Sequence, residues 1–272
     1  MTLPLPRVED LPSVEILGTH VHGPTLDQAI RLIENWIDHR DGECHMVVET
    51  GFHGIWVAHQ DPGFRSILNR ADLFCPDGIA PIWLARLAGH PLPERVPGPD
   101  LFAAFLVRAQ KRRYRSYFYG DTEEVLQALC QRINRDFPGA EIAGAFPPPF
   151  SERTETEREN DIARIHEACP DILWVALGCP KQERWIAENR GKLHVPVVVG
   201  VGVVFRFFAG TVVRAPAWLR DRGAEWLWRL GAEPRKLWKR DLIDGPRFLV
   251  AGIKDALKTR WSHARSPERF KT

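Results

Sequence analysis

The sequence predicts an α/β fold in which a mainly parallel sheet is flanked by helices. Two observations carry this prediction. Apolar runs of strand length, among them His45–Glu49, Ala71–Cys75, Ser116–Gly120, Asp171–Leu177 and Val195–Val201, alternate with stretches whose apolar residues recur at helical spacing. That βα rhythm is the signature of parallel strands joined by crossover helices. Most of the runs also end at glycine, proline or aspartate, the residues that punctuate strand-to-helix turns.

Composition sets the outer limits. A chain of 272 residues that is 44% hydrophobic and 26% charged buries a substantial core in one large or two small domains, which excludes disorder for most of its length. A net charge of +2 is too balanced for bulk attraction to nucleic acid. Acidic residues gather at Glu152–Glu159, whereas Arg and Lys dominate from Arg206 onward, so the carboxyl third is locally basic. Cys44, Cys75, Cys130, Cys169 and Cys179 are odd in number and have no CxxC spacing, which fits a reduced compartment without structural zinc. No basic segment followed by an apolar core opens the chain, so no secretory signal is expected. The longest apolar runs, such as Val195–Phe205, are too short to span a bilayer, and membrane contact is expected to be peripheral.

Residues 1–13 are proline-rich and predicted to be extended. Val14–Leu17 reads as a short strand, and Pro24-Thr25 with Leu26, Asp27 and Gln28 as a helix N-cap before Ala29, Ile30, Leu32, Ile33 and Trp36. The buried-type strand His45–Glu49 ends at Thr50-Gly51, and helices over about Gly54–His59 and through Phe64, Ile67 and Leu68 follow. Ala71–Cys75 ends at Pro76-Asp77-Gly78. Restriction by proline on one side and glycine on the other presents Asp77 towards the ligand crevice of a parallel sheet, where it could act as a general base. In isolation a PDG aspartate more commonly bonds its own backbone in a turn.

Pro81–Leu87 is predicted helical, and the rigid loop Arg95–Asp100 precedes a helix over Leu101–Arg112. Arg95 is a candidate for binding anionic oxygen, or else a surface cation. Asp121 is placed to cap the helix Glu123–Phe137, Glu141–Ala145 continues the alternation, and 146–150 is a stiff connector. Residues 151–167 are predicted to form a charged, mostly exposed helix whose inner face is Ile162 and Ile165. After the strand Asp171–Leu177, Gly178–Pro180 turns into a helix opened by Lys181, Gln182 and Glu183. A helix N-terminus at a strand's carboxyl end favours a phosphate, although an ordinary βα turn with a solvated start has the same pattern. The GVG turn after Val195–Val201 is a weak nucleotide signal, because no GxGxxG is present.

The character shifts at Ala209. Trp218, Trp226, Trp228 and Trp238 interleave with Arg214, Arg220, Arg222, Arg229, Arg235, Lys236, Lys239 and Arg240. Tryptophan with cations at helical spacing suits a membrane interface; the alternative is that these rings pack helices onto the sheet, the outcome expected for Trp226. No repeated stacking platform points to single-stranded nucleic acid. The tail 262–272 is polar and expected to be loose. Metal-ligand patterns such as DxD and HExxH are absent, as is GxSxG. Asp77, Thr50 and Arg95 at strand ends, the Lys181-Gln182 helix start and the basic tail suit transfer of a phosphate-bearing group, with cations stabilising a diphosphate leaving group.

Seven segments then stand in one order: VxxT at 47–50, RADLFCPDGIA at 70–80, RVPGPDL at 95–101, ALGCPKQERWI at 176–186, GVGVVFRFFAG at 200–210, RAPAW at 214–218 and EWLWRLGAEPRK at 225–236. Together they resemble the WecG/TagA/CpsF glycosyltransferases over about residues 14–245. The resemblance implies a Rossmann-like catalytic domain over 1–208 and a C-terminal helical, basic, Trp-rich appendage over 209–272 that docks on the membrane and completes the active site. It implies an inverting, metal-independent transfer without a cofactor, from a UDP-sugar to a polyprenyl-diphosphate-linked sugar, at the cytoplasmic face of the bacterial inner membrane in surface polysaccharide assembly of the exopolysaccharide, capsule, teichoic acid or enterobacterial-antigen type. Asp77 becomes the base, with Thr50 beside it. Arg95, Lys181, Gln182 and Glu183 fall on pocket positions, and Arg229, Lys236 and Lys239 on appendage positions that meet diphosphate. Phe52 stands where the family's TxN has asparagine and Arg206 where GVGxxFDF has an acid, so Arg206 is expected to pair with an acidic sugar or to re-route a salt bridge. The donor sugar and self-association into a homo-oligomer stay open. The rival readings are a soluble nucleotide-binding or regulatory module with a partner-binding Trp/Arg tail, and a soluble sugar-nucleotide epimerase.

Overall fold

The computed structural model describes residues 5–149, 151 and 153–265. Residues 1–4, Phe150, Glu152 and 266–272 lie outside that description, and with them part of the proline-rich start, the end of the connector and most of the polar tail.

The chain is α/β. A short 3-10 turn at Val8–Asp10 interrupts the expected extended start. β1 (Ser13–Ile16) and β2 (Thr19–His22) form a separate antiparallel hairpin, whose second strand the sequence reading did not foresee. Leu17 (φ 51°) and Gly18 (φ 83°) make its turn in the left-handed region. α1 (Leu26–His39) starts at the expected N-cap Thr25, whose hydroxyl accepts from the Gln28 N–H while the Gln28 side chain accepts from the Thr25 N–H, a full capping box. β3 (His45–Thr50), α2 (Phe52–Gln60), α3 (Pro62–Asn69), β4 (Leu73–Pro76) and α4 (Ile79–Ala88) follow. Next come α5 (Gly98–Arg112), β5 (Arg115–Gly120), α6 (Glu123–Asp136), β6 (Glu141–Phe146) and α7 (Glu155–Ala168). The cap of α6 is Thr122, whose hydroxyl accepts from the Val125 N–H, and not Asp121 as predicted. β7 (Ile172–Ala176), α8 (Lys181–Asn189), β8 (Val197–Gly200) and α9 (Val204–Ala209) complete the sheet and its cover.

The sheet has six parallel strands in the order β4-β3-β8-β7-β5-β6. β8, last in the chain, is central in space. Its residues Val197, Val198 and Val199 are fully buried, as a parallel strand covered on both faces requires. One face packs against α1, α5, α6 and α9 through Val47, Phe118 and Trp174, the other against α2, α3, α4 and α8 through Met46, Val48 and Val175. Layers of this size hold a parallel sheet by burying apolar area at about 25 cal/mol per Å².

From residue 210 the chain forms α10 (Ala217–Arg220), α11 (Glu225–Ala232), α12 (Pro234–Trp238), a π-helical turn over Lys239–Asp244 and the long α13 (Gly245–Arg265). α13 lies on α4. Phe248 is fully buried in the second core, and a methyl on Gly252 would come within 2.4 Å of Leu84. Asp255 also accepts from the Leu17 N–H at 2.8 Å, which ties α13 to the hairpin. Trp226 is 40% exposed and does not pack onto the sheet as expected. Trp218, Trp228, Trp238 and Trp261 are exposed as well, and Val250, Ile253 and Leu257 form an outward apolar stripe on α13. Among the described residues no helix is long and apolar enough to cross a membrane.

Candidate active site

The carboxyl ends of β3, β4, β7 and β8 converge on one crevice, the place where parallel sheets bind ligands. Asp77 follows β4, and its N–H donates to the carbonyl of Thr50 at the end of β3 at 3.2 Å. The two loops meet closely, since a methyl on Gly51 would lie 3.3 Å from the Gly78 nitrogen. Thr50 is buried, with its hydroxyl over Gly54, where a methyl would lie only 2.3 Å away. The Val96 N–H donates to the Pro76 carbonyl at 2.8 Å, which brings the Arg95 loop beside Asp77.

The loop after β7 is organised by one buried amide. Gln182 Oε1 accepts from the N–H groups of Gly178 at 3.1 Å and Gly202 at 3.0 Å, so it ties the loops after β7 and β8 together. Its Nε2 donates to Glu183 Oε1 at 2.9 Å. Glu183 is 1% exposed, and burial pushes its carboxyl up to about 6. The Cys179 thiol lies near Thr50 and Glu183, and burial pushes it well above the ordinary thiol range. Lys181, one residue earlier, faces solvent.

The segment after α9 closes the crevice from the other side. Arg95 donates to the Arg220 carbonyl at 2.7 Å, and Arg214 pairs with Asp100 at 2.5 Å and with Glu225 at 3.4 Å. Gly223 (φ 71°) sits against Ile79, where a methyl would be 2.7 Å from its Cβ; glycine alone permits both the backbone angle and the approach. Arg229 pairs with Glu233 at 3.3 Å and lies over the Phe207 ring. Asp77 is thus half-buried among guanidinium groups. Burial raises its carboxyl from an ordinary 3.8 to about 6, with Glu225 acting in the same direction and Arg95, Arg229 and Arg214 opposing.

The structure therefore brings Asp77, Thr50, Arg95, Gln182, Glu183 and Arg229 to one crevice. Lys236 and Lys239 are exposed, and Lys236 pairs with Glu233 at 3.4 Å. Arg206 is engaged within the protein, donating to both carboxylate oxygens of buried Asp121 at 2.8 and 3.0 Å. An ion pair within the protein is one of the two expectations stated for Arg206.

Sequence reasoning missed Glu49, Asp100 and Glu225 and gave Arg214 and Arg220 no individual role. Glu49 did carry a signal, as an acid that directly follows the apolar run Met46–Val48 within a strand. The arginines were hidden in a run of cations that only tertiary structure separates. Glu49 Oε1, Glu183 Oε2, Arg214 Nη2, Arg220 Nε and Arg229 Nε are buried around this crevice without hydrogen-bond partners. Among the described residues no group of three His, Cys, Asp or Glu side chains is arranged to hold a metal ion.

A model of the WecG/TagA/CpsF glycosyl transferase family matches residues 14–262. The chain is 35% identical over 206 residues, 76% of each protein, to an N-acetylglucosaminyldiphosphoundecaprenol N-acetyl-beta-D-mannosaminyltransferase of Bacillus spizizenii. It is 30% identical over 224 residues to the enzyme of that name from Bacillus subtilis, covering 82% of this chain and 84% of the relative. To the one from Staphylococcus aureus it is 26% identical over 245 residues, 90% of this chain and 94% of the relative.

Proposed function

Because the chain belongs to the WecG/TagA/CpsF glycosyl transferase family, we propose that it moves a sugar from a UDP-sugar to a polyprenyl-diphosphate-linked sugar at a membrane surface, with inversion. The observation that carries the reading is Asp77, a carboxylate at a strand end, half-buried among Arg95, Arg214 and Arg229. A carboxyl raised to about 6 is ionised at neutral pH and still basic enough to take a proton from a positioned hydroxyl.

In the proposed reaction the acceptor hydroxyl gives its proton to Asp77 as its oxygen attacks the anomeric carbon. The bond from that carbon to the diphosphate oxygen breaks, and UDP leaves with the electron pair. Arg214, Arg220 and Arg229 present buried N–H groups without partners, the donors that a developing diphosphate charge would satisfy. Thr50 lines the floor beside Asp77. Gln182 serves by holding the loops after β7 and β8, and Glu183 by holding Gln182 in turn. Lys181, Lys236 and Lys239, all exposed, attract anionic headgroups or the acceptor's diphosphate from outside. The exposed Trp218, Trp226, Trp228, Trp238 and Trp261 seat residues 209–272 on the bilayer as a peripheral appendage.

The test is a pH profile. On the acid side kcat/KM should rise through about pH 6, tenfold per pH unit, as Asp77 ionises. Asp77→Asn should lower turnover by at least about a hundredfold, the scale of a lost general base. Near-wild-type turnover of Asp77→Asn would remove Asp77 from that role.

A further inference from the structure

Asp77 is not the only acid in the crevice. Glu49, second-last residue of β3, is 8% exposed, and its Oε1 is buried without a partner. Its seat is made by Gly98, first residue of α5. A methyl on Gly98 would lie 2.0 Å from Glu49 Oε2 and 2.6 Å from its carboxyl carbon, so only glycine lets the carboxyl lie against the start of that helix. The groups facing Glu49 are Asp77 after β4, Asp100 on α5, Glu183 on α8, Arg214 before α10 and the Cys75 thiol on β4. Arg214 is already shared between Asp100 and Glu225.

Resting on the reading of this crevice as a UDP-sugar site, we propose that Glu49 is a positioning residue that stands as an uncharged carboxylic acid. Asp77 then carries the negative charge of the pair alone, and the crevice keeps the positive balance that a diphosphate needs. Neighbouring carboxylates in a dry site do not both ionise readily, and the proton stays where the charge is worst solvated. Three guanidinium groups and one carboxylate, Glu225, face Asp77, which is half-buried, whereas the Arg214 guanidinium and the carboxyls of Asp77, Asp100 and Glu183 face the more deeply buried Glu49. Burial first, then Asp77 and Asp100, push the Glu49 carboxyl well above the usual range. Ionisation of Glu49 would add a second negative charge beside Asp77 and lessen the positive balance of the crevice.

Two measurements on the full chain decide this, and neither needs turnover. The first is UDP affinity across pH for the wild type and Glu49→Gln. Gln keeps the shape and the lack of charge, so near pH 7 the two should agree within about twofold. At alkaline pH wild-type affinity should fall by up to about tenfold per pH unit, and that of Glu49→Gln should not show this fall. The second is the carbon-13 resonance of the Glu49 carboxyl. It should hold the protonated-acid position at neutral pH, and in Asp77→Asn its titration should move to lower pH, because a facing charge is gone. A tenfold or greater loss of UDP affinity in Glu49→Gln near pH 7 would overturn the proposal. So would a Glu49 carboxyl that titrates in the ordinary range near 4.5, or one that Asp77→Asn leaves unmoved; the resonance is read without any change at Glu49, so a poorly folded variant does not shelter the idea. An active Asp77→Asn enzyme would refute Asp77 as base and leave these readouts standing.

Discussion

Removing the charge of Asp77 should make the protein more stable while it stops turnover. The folded-state carboxyl is raised from 3.8 to about 6, so the folded chain binds that proton more tightly than the unfolded chain. For a raised acid, stability is lost as pH climbs from the unfolded value to the folded one and stays lost above it. At 1.36 kcal/mol per unit of pKa, the ionised Asp77 costs about 3 kcal/mol above pH 6. Asparagine mimics the protonated acid and escapes that cost. A chain of 272 residues unfolds with an entropy of roughly 0.6 kcal/mol per degree, so Asp77→Asn should melt about 5 °C higher at pH 8. At pH 4 the gain should largely vanish. Thermal unfolding by circular dichroism at the two pH values reads both figures. A variant that melts at or below the wild type at pH 8, or one whose advantage grows as pH falls, would refute the reasoning.

Other expectations follow from the same contacts. Arg206→Ala leaves the buried Asp121 carboxylate without its bidentate partner and should cost about 3 kcal/mol by chemical denaturation, with the preference among UDP-sugars unchanged; a changed preference would return Arg206 to the sugar. Gln182→Leu removes the acceptor shared by Gly178 and Gly202 and should weaken UDP binding by at least about tenfold in calorimetry, whereas unchanged affinity would free the two loops from that role. Replacing Trp226, Trp228, Trp238 and Trp261 together by serine should reduce binding to anionic phospholipid vesicles by at least about tenfold, and persistent binding would place the docking surface elsewhere. Substitution is the cleaner route, because deleting α13 would also strip cover from Leu84 and the second core.

Much of the fold was legible because its signals are local. Thr25 and Gln28 sit at the spacing a capping box requires, and the strands centred on Val47, Trp174 and Val198 are continuous apolar runs, as burial on both faces demands. The β1–β2 hairpin escaped because its alternation spans only four residues a strand and its turn relies on Leu17 in a left-handed conformation. The order of the sheet was not readable, since βα rhythm fixes parallel strands without fixing neighbours. Asp121 looked like a cap because an acid just before a helix often is one, but the Arg206 guanidinium claimed it and Thr122 took over. Asp77 stood out through the proline and glycine around it. Arg214 and Glu49 gained meaning only from tertiary contacts, Arg214 with Asp100 and Glu225, Glu49 through the cradle at Gly98. Trp226 was expected to pack its helix onto the sheet, and the short α11 instead leaves Trp226 and Trp228 exposed.

The most direct test of the central claim is transfer itself. Purified protein would be given each of a panel of UDP-sugars with short-chain polyprenyl-diphosphate-linked sugar acceptors in detergent or vesicles, and the lipid product read by mass spectrometry. The account predicts one sugar added to the lipid acceptor from a preferred UDP donor, with UDP released in equal amount and product lost in Asp77→Asn. UDP-sugars bound but never transferred to any lipid-linked sugar, or transfer that survives Asp77→Asn, would contradict it.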